Sequence, residues 1–124
     1  LKLDKPLKTK DKALKIAEFT LGKKAQDITI LDIKNLSGIC DYFIICSGDS
    51  GRQVRAIYEG VAKECKKNKI IIKSYESDEA ESWILVDFFD IILHIFSQST
   101  REFYDLEYLW SKAKKIKFPS SKLT

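Results

Sequence analysis

Methionine is absent from the sequence and histidine occurs once, at His94. A lone imidazole cannot supply the paired His ligands of a metal centre, and the three cysteines, Cys40, Cys46 and Cys65, lack the close spacing of a structural zinc site. An odd cysteine count also argues against a disulfide scaffold. It favours a reducing compartment, where buried thiols act as small apolar fillers. No apolar run approaches the roughly 20 residues of a membrane span, and no signal-peptide pattern is present. Methionine is missing even at position 1, which suggests a chain trimmed or processed at its start. The acidic stretch of residues 76–82, carrying Glu76, Asp78, Glu79 and Glu81, contains no basic residue.

What remains is an ordinary globular composition, 44% hydrophobic and 32% charged over 124 residues. That length suits one domain with a single core. The net charge of +4 is unevenly distributed. Residues 1–12 hold five Lys against two Asp, and residues 111–124 hold five Lys and no acid, so the ends sum to +8 and Ala13–Trp110 to −4. A dedicated nucleic-acid reader carries its basic patch on the folded face. An acidic body with basic tails suits a module that meets a basic protein surface near nucleic acid.

Along the chain, residues 1–9 read as a flexible leader, with Pro6 breaking any helix. A helix is predicted from Lys10 to Leu21, where Ala13, Ile16, Ala17 and Thr20 share one stripe and Gly22 follows. Asp27–Ile33 alternates as a strand. Asp41–Cys46 is a nearly continuous apolar run, as a strand covered on both faces requires. Ser50 and Gln53 have capping-box spacing. Behind them Val54, Ile57, Tyr58, Val61, Ala62 and Cys65 form a clean helical stripe. Ile70–Lys73 reads as a short strand. Trp83–Phe88 and Ile91–Phe96 read as two strands joined by a tight turn. A last helix is predicted behind Ser99 and Glu102, spaced as a capping box, with Phe103, Leu106, Trp110 and Ala113 on one face and Arg101 pairing with Asp105 on the surface. The basic tail, residues 114–124, is predicted to fray. The resulting fold class is α/β (α+β): one domain, residues 10–113, with a mixed sheet of about five strands flanked by helices. One parallel crossover is expected between Cys46 and Ile70.

The ordered segments KAQDITILDI, CDYFIICSGDSGRQV, ESWILVDFFDIILHIF and STREFYDLEYLW resemble the ribosomal silencing factor family, also called Iojap-like proteins. They span nearly all of Lys24–Trp110. The resemblance implies a nucleotidyltransferase-like mixed sheet without enzymatic activity or cofactor. It implies binding to the large ribosomal subunit through ribosomal protein L-fourteen, which blocks subunit joining and represses translation. A cytoplasmic location follows, with mitochondria and chloroplasts as the alternative. The sequence departs from the family at three positions. Phe89 stands where a turn Gly is usual, so the turn is either strained or different and exposes an aromatic pair; Gln53 stands where His is common, and Ser77 where Gly is common.

The candidate partner-binding residues are Trp83, Leu85, Glu81, Asp87 and Asp90. Alternation puts Trp83, Leu85 and Asp87 on one strand face, and a core plug is rarely bordered by carboxylates. The resemblance also implies that this Trp lies in the partner-binding strand. The bland reading makes Trp83 a core residue, with the docking face then at Tyr104–Trp110. His94 reads as a hydrogen-bonded core residue. The Ser47–Ser50 turn reads as a plain helix cap. Two rivals stand beside the repressor: a Mg-dependent nucleotidyltransferase-like enzyme using Asp87 and Asp90, and a direct RNA binder using the Lys-rich termini. Under the repressor reading the tails make at most weak, salt-dependent contact with ribosomal RNA, and no DNA or membrane is engaged. An uncovered apolar binding face also tends to self-associate, so the free protein is expected to form a homodimer.

Overall fold

In a computed structural model of the chain, residues 7–118 are described. Residues 1–6 and 119–124, the greater part of the leader and the end of the tail, lie outside them. The elements are α1 (Thr9–Gly22), β1 (Gln26–Asp32), β2 (Tyr42–Gly48), α2 (Gly51–Lys67), β3 (Ser74–Ser77), β4 (Trp83–Asp87), β5 (Ile91–Ser97), α3 (Gln98–Tyr104), α4 (Leu106–Leu109) and β6 (Lys114–Ile116). The strands form one sheet in the order β3-β4-β5-β2-β1-β6. Only β2 and β5 run parallel, in register from Tyr42–Ile91 to Gly48–Ser97; the other pairs are antiparallel.

Every residue of β2 is buried. Alternate side chains of the central strands therefore feed two separate cores. Ile44, Cys46, Leu93, Ile95, Ile84 and Val86 meet Ile16, Ala17, Val54, Ile57 and Val61 of the two long helices. Phe43, Ile45, Phe96 and Leu31 point the other way, toward Leu106, Trp110 and Trp83. The two long helices thus share one face of the sheet, and the two short ones cover part of the other.

The Ser50 cap forms as predicted: its hydroxyl accepts from the Gln53 N–H at 3.2 Å, and Gln53 Oε1 accepts from the Asp49 N–H at 2.6 Å. Gly48 lets β2 approach α2 closely, since a Cβ there would lie 3.1 Å from Val54 N. The three thiols are free and buried, and burial pushes Cys40 up to about 11 and Cys46 and Cys65 up to about 12. They are apolar fillers of low nucleophilicity.

Several expectations change. The sheet has six strands, because Lys114–Ile116, expected to fray, pairs with β1 through Ile30–Ile116. The third strand is Ser74–Ser77, not Ile70–Lys73. Ile70 instead closes the end of α2, its N–H donating to Cys65 O at 2.9 Å while its side chain is buried. The parallel partner of β2 is consequently β5, reached only after β3 and β4. The last helix is broken at Asp105, whose φ of 46° is left-handed. That break removes the helical spacing between Arg101 and Asp105, and Arg101 pairs with Glu107 at 2.9 Å instead. The cap of α3 is Ser97 rather than Ser99, because β5 runs directly into the helix and the Ser97 hydroxyl accepts from Thr100 N–H at 3.3 Å. Glu102 is exposed and caps nothing.

At the β4–β5 turn Phe89 has a φ of 79°, so the turn keeps the conformation that favours glycine and Phe89 bears the strain. It alone is exposed, at 59%; Phe88 is fully buried. Replacing Phe89 by Gly is expected to raise stability by up to about 1 kcal/mol in thermal or denaturant melts. A loss of stability would mean that the contact of Lys73 with the ring, 5.9 Å from its centroid, outweighs the strain.

Candidate functional site

The second face of the sheet is only half covered. Register places Trp83 opposite Phe96, Leu85 opposite His94 and Asp87 opposite Ile92, with Glu76 beside Leu85 on β3. The short helices lie over the β5–β2–β1 side of this face. Arg101 holds them there: it donates to Ser47 Oγ at 2.8 Å and to both oxygens of Glu107, at 3.2 and 2.9 Å. The Arg101 guanidinium in turn holds the Glu107 carboxyl below its usual range. Among the described residues no helix lies over β3 on this side. A depression of about 270 Å³ remains, lined by Glu76, Ser77, Asp78, Trp83 and Leu85.

Trp83 stands at the border between the covered and open halves. Its ring lies 5.0 Å from Phe96 and 4.7 Å from Tyr104 between centroids, and it is half-buried. The indole N–H donates to His94 Nδ1 at 3.2 Å. Because indole nitrogen is only a donor, Nδ1 must be the unprotonated nitrogen, which fixes the neutral tautomer with the proton on Nε2. His94 is buried and stacked on Phe96, with Phe43 edge-on at 4.8 Å; burial lowers its pKa to about 4. A neutral, buried His94 is therefore a fixed acceptor that sets the angle of the Trp83 ring. Each aromatic contact contributes about 0.5–1.5 kcal/mol and the hydrogen bond about 1 kcal/mol.

Just before Trp83, the Asp78 carboxylate organises the loop. It accepts from Ser82 N–H at 2.7 Å, from Trp83 N–H at 3.2 Å and from the Ser82 hydroxyl. Burial acts to raise its pKa, but these hydrogen bonds outweigh it and the net shift is downward. Asp78 is thus a charged lip of the depression.

The five sequence candidates divide. Trp83, Leu85 and Asp87 share the open face. Glu81 has a φ of 55° and turns toward α2, where it pairs with Arg55 at 3.4 Å. Asp90 pairs with Lys12 at 2.7 Å and accepts from Thr9 Oγ1 at 3.0 Å, fixing the start of α1. Asp87 accepts from the Phe89 N–H at 2.7 Å, so the two Asp of the rival enzyme are engaged in different directions and do not converge. Among the described residues, no group of three or more His, Cys, Asp and Glu side chains could hold a metal ion.

Helical spacing put Phe103 on one face with Leu106, Trp110 and Ala113, and Tyr104–Trp110 entered only as the alternative docking face; the break at Asp105 separates Phe103 from that face, and much of this segment stays uncovered. Phe103 is 80%, Tyr108 78% and Leu109 70% exposed, and Tyr104 joins Phe103 to the Trp83 ring. The signal available was their number: four large apolar residues in a short helix with only one buried stripe. Geometrically, the site is an apolar shelf with an acidic border. It suits a basic protein surface better than a small molecule.

Comparison with known proteins identifies relatives of the whole fold. A family model described as "Ribosomal silencing factor during starvation" matches residues 6–124. The ribosomal silencing factor RsfS of Bacillus subtilis is 40% identical over 101 residues, 81% of this chain and 86% of the relative. The chloroplastic protein Iojap of Zea mays is 32% identical over 107 residues, 86% of this chain and 46% of the relative. A crystal structure of a protein from Chromobacterium violaceum superposes with a TM-score of 0.76 at 33% identity, covering 87% of this chain and 90% of that one.

The buried imidazole makes stability depend on pH in a defined window. In the unfolded chain it titrates near about 6.5, whereas the folded protein holds it neutral to about 4. Stability should therefore fall by about 3 kcal/mol as pH drops between those values, and change little through this group above about 6.5. His94→Gln keeps an acceptor for Trp83 and removes the titration. Its melts should lose that slope; an unchanged slope would place the effect on other groups.

Proposed function

The chain belongs to the ribosomal silencing factor family, and we propose that it binds the large ribosomal subunit through ribosomal protein L-fourteen, blocks joining of the small subunit and so represses translation. The observation that carries this reading is the half-covered second face of the sheet, with Trp83 held in place by His94, Phe96 and Tyr104. Trp83 and Leu85 supply the apolar anchor. Asp87 and Glu76, beside them on the same face, supply charge complementary to a basic partner. Glu81 and Asp90, engaged by Arg55 and Lys12, act indirectly by fixing the loop and turn that border the face.

Occlusion follows from bulk alone. Docking through one face leaves the α1/α2 side projecting into space the small subunit needs, and no bond is made or broken. The protein then acts wherever the ribosomes are, the cytoplasm in the first instance and a mitochondrion or chloroplast in the alternative. A homodimer of the free protein would use this same apolar shelf, so it would be displaced by the ribosomal partner. Charged residues of the tails would add weak, salt-dependent contact with ribosomal RNA.

Co-sedimentation with separated subunits tests the reading. The protein should pellet with large subunits and not with small ones. Leu85→Asp, on a half-exposed position of β4, should weaken binding by at least about 2 kcal/mol while leaving the melt unchanged. Glu81→Gln should change binding by less than about threefold. Equal pelleting with both subunits, or full binding by Leu85→Asp, would contradict it.

A further inference from the structure

The folded body is divided by charge in a way the chain order conceals. Residues 8–24 and 51–69, which make the α1/α2 layer and its ends, hold twelve Lys and Arg against four Asp and Glu, a net +8. Residues 25–50 and 70–107, which make five of the strands and the two short helices, hold three basic residues against thirteen acidic ones, a net −10. Two of the thirteen, Glu81 and Asp90, turn back to pair with Arg55 and Lys12, which still leaves the helical layer net basic. Lys112, Lys114, Lys115 and Lys117 form a separate basic group at the β6 edge of the sheet.

We propose that the outer surface of the α1/α2 layer is a second docking face, which takes the phosphate backbone of structured RNA. Arg52, Lys63 and Lys66 lie within about 60° of one another around α2, given about 100° per residue, and Lys69 follows the end of the helix. All four are exposed and make no ion pair among the described residues. From Arg52 to Lys66 the helix rises about 21 Å, long enough to contact several successive phosphates. Glu59 falls on the same stripe and pairs with Arg55 at 3.3 Å, leaving the stripe with three basic residues against one acid. The residues just after α1 extend the basic surface: Gln53 Nε2 donates to Lys24 O at 3.3 Å, and the stem of Lys23 lies across Gly60, where a Cβ would come within 2.3 Å of it. Lys23 and Lys24 are both exposed.

The occupant follows from what this layer lacks. None of the exposed large hydrophobic residues lies in residues 8–24 or 51–69. The aromatic pair nearest to the basic stripe, Tyr58 with Tyr75, lies about 120° around α2 from Arg52 and off that stripe, so a regular duplex backbone is favoured there over single strands with bases to stack. There is likewise no apolar edge to enter a lipid headgroup region, which a surface-bound amphipathic helix needs. Lysines at helical spacing over a polar surface neutralise phosphates without reading bases. This placement differs from the terminal lysines as the RNA contact. It is also independent of the protein-docking face, which lies across the sheet and is acidic.

The test is binding of the full chain to a fluorescent RNA duplex by anisotropy over a salt series, with no ribosomal protein present. The fourfold variant Arg52→Glu, Lys63→Glu, Lys66→Glu, Lys69→Glu should lose at least about 30-fold in affinity at about 50 mM salt and show a flatter dependence of log Kd on log salt. A control with the same formal charge change, Lys112→Glu, Lys114→Glu, Lys115→Glu and Lys117→Glu, should lose several-fold less. Should the fourfold variant fail to fold, Arg52→Gln with Lys66→Gln reads the same flattening. Equal losses in the two sets, no loss in the helical set, or binding of the wild type to vesicles of anionic lipid but not to RNA would each overturn the proposal. Failure of large-subunit co-sedimentation would leave this result standing, because the two assays use opposite faces.

Discussion

The constraint on which the structure depends is the complete burial of β2 on both faces. A strand in the middle of a sheet, parallel to β5 and antiparallel to β1, needs apolar cover above and below. The two long helices provide one cover. Among the described residues the other comes from the elements after β5: a short helix, a sharp break at Asp105, a single further turn and an edge strand. These lie over Leu31, Phe43, Ile45 and Phe96 of β1, β2 and β5. The aromatic ring of Trp83 lies where that cover stops, beside the shelf that Leu85 continues.

The same constraint explains why His94 is the residue it is. A position on β5 facing this second core, under the end of the helical cover, must hold a ring against Phe43 and Phe96 and also accept the indole N–H of Trp83. Neutral imidazole does both. An aliphatic residue would fill the space and leave the indole N–H without its partner, so the ring would lose its set angle. Burial keeps the imidazole uncharged, and that in turn keeps Nδ1 available.

Most of the fold could be read before any coordinates, because its long elements are strongly patterned. The stripe from Val54 to Cys65, the apolar run ending at Cys46 and the pair of strands around the Phe89 turn all formed close to their predicted bounds. What escaped depended on tertiary partners. Lys114–Ile116 is too short and too basic to look like a strand, and becomes one only because β1 offers an edge. Ile70 looked like strand, but the end of α2 needed a plug. Asp105 carries no signal of its left-handed backbone beyond being an Asp, a residue that tolerates it. Within the candidate site, alternation grouped Trp83, Leu85 and Asp87 on one face. It could not show that Glu81 and Asp90, a few residues away in sequence, reach Arg55 and Lys12 on the other side. Charge was the least legible feature. Summed along the chain it gave an acidic body with basic ends, whereas in three dimensions the helical layer is net basic and the shelf around Trp83 is bordered by acids.

The central claim is that the open face of β4, and no other surface, meets the ribosomal protein. A photo-crosslinking amino acid placed at position 85, on protein bound to purified large subunits, tests it most directly. The account predicts one dominant adduct, with ribosomal protein L-fourteen, and none from the same probe at position 63 on the opposite side. Absence of that adduct at 85, or its appearance from 63, would contradict the account.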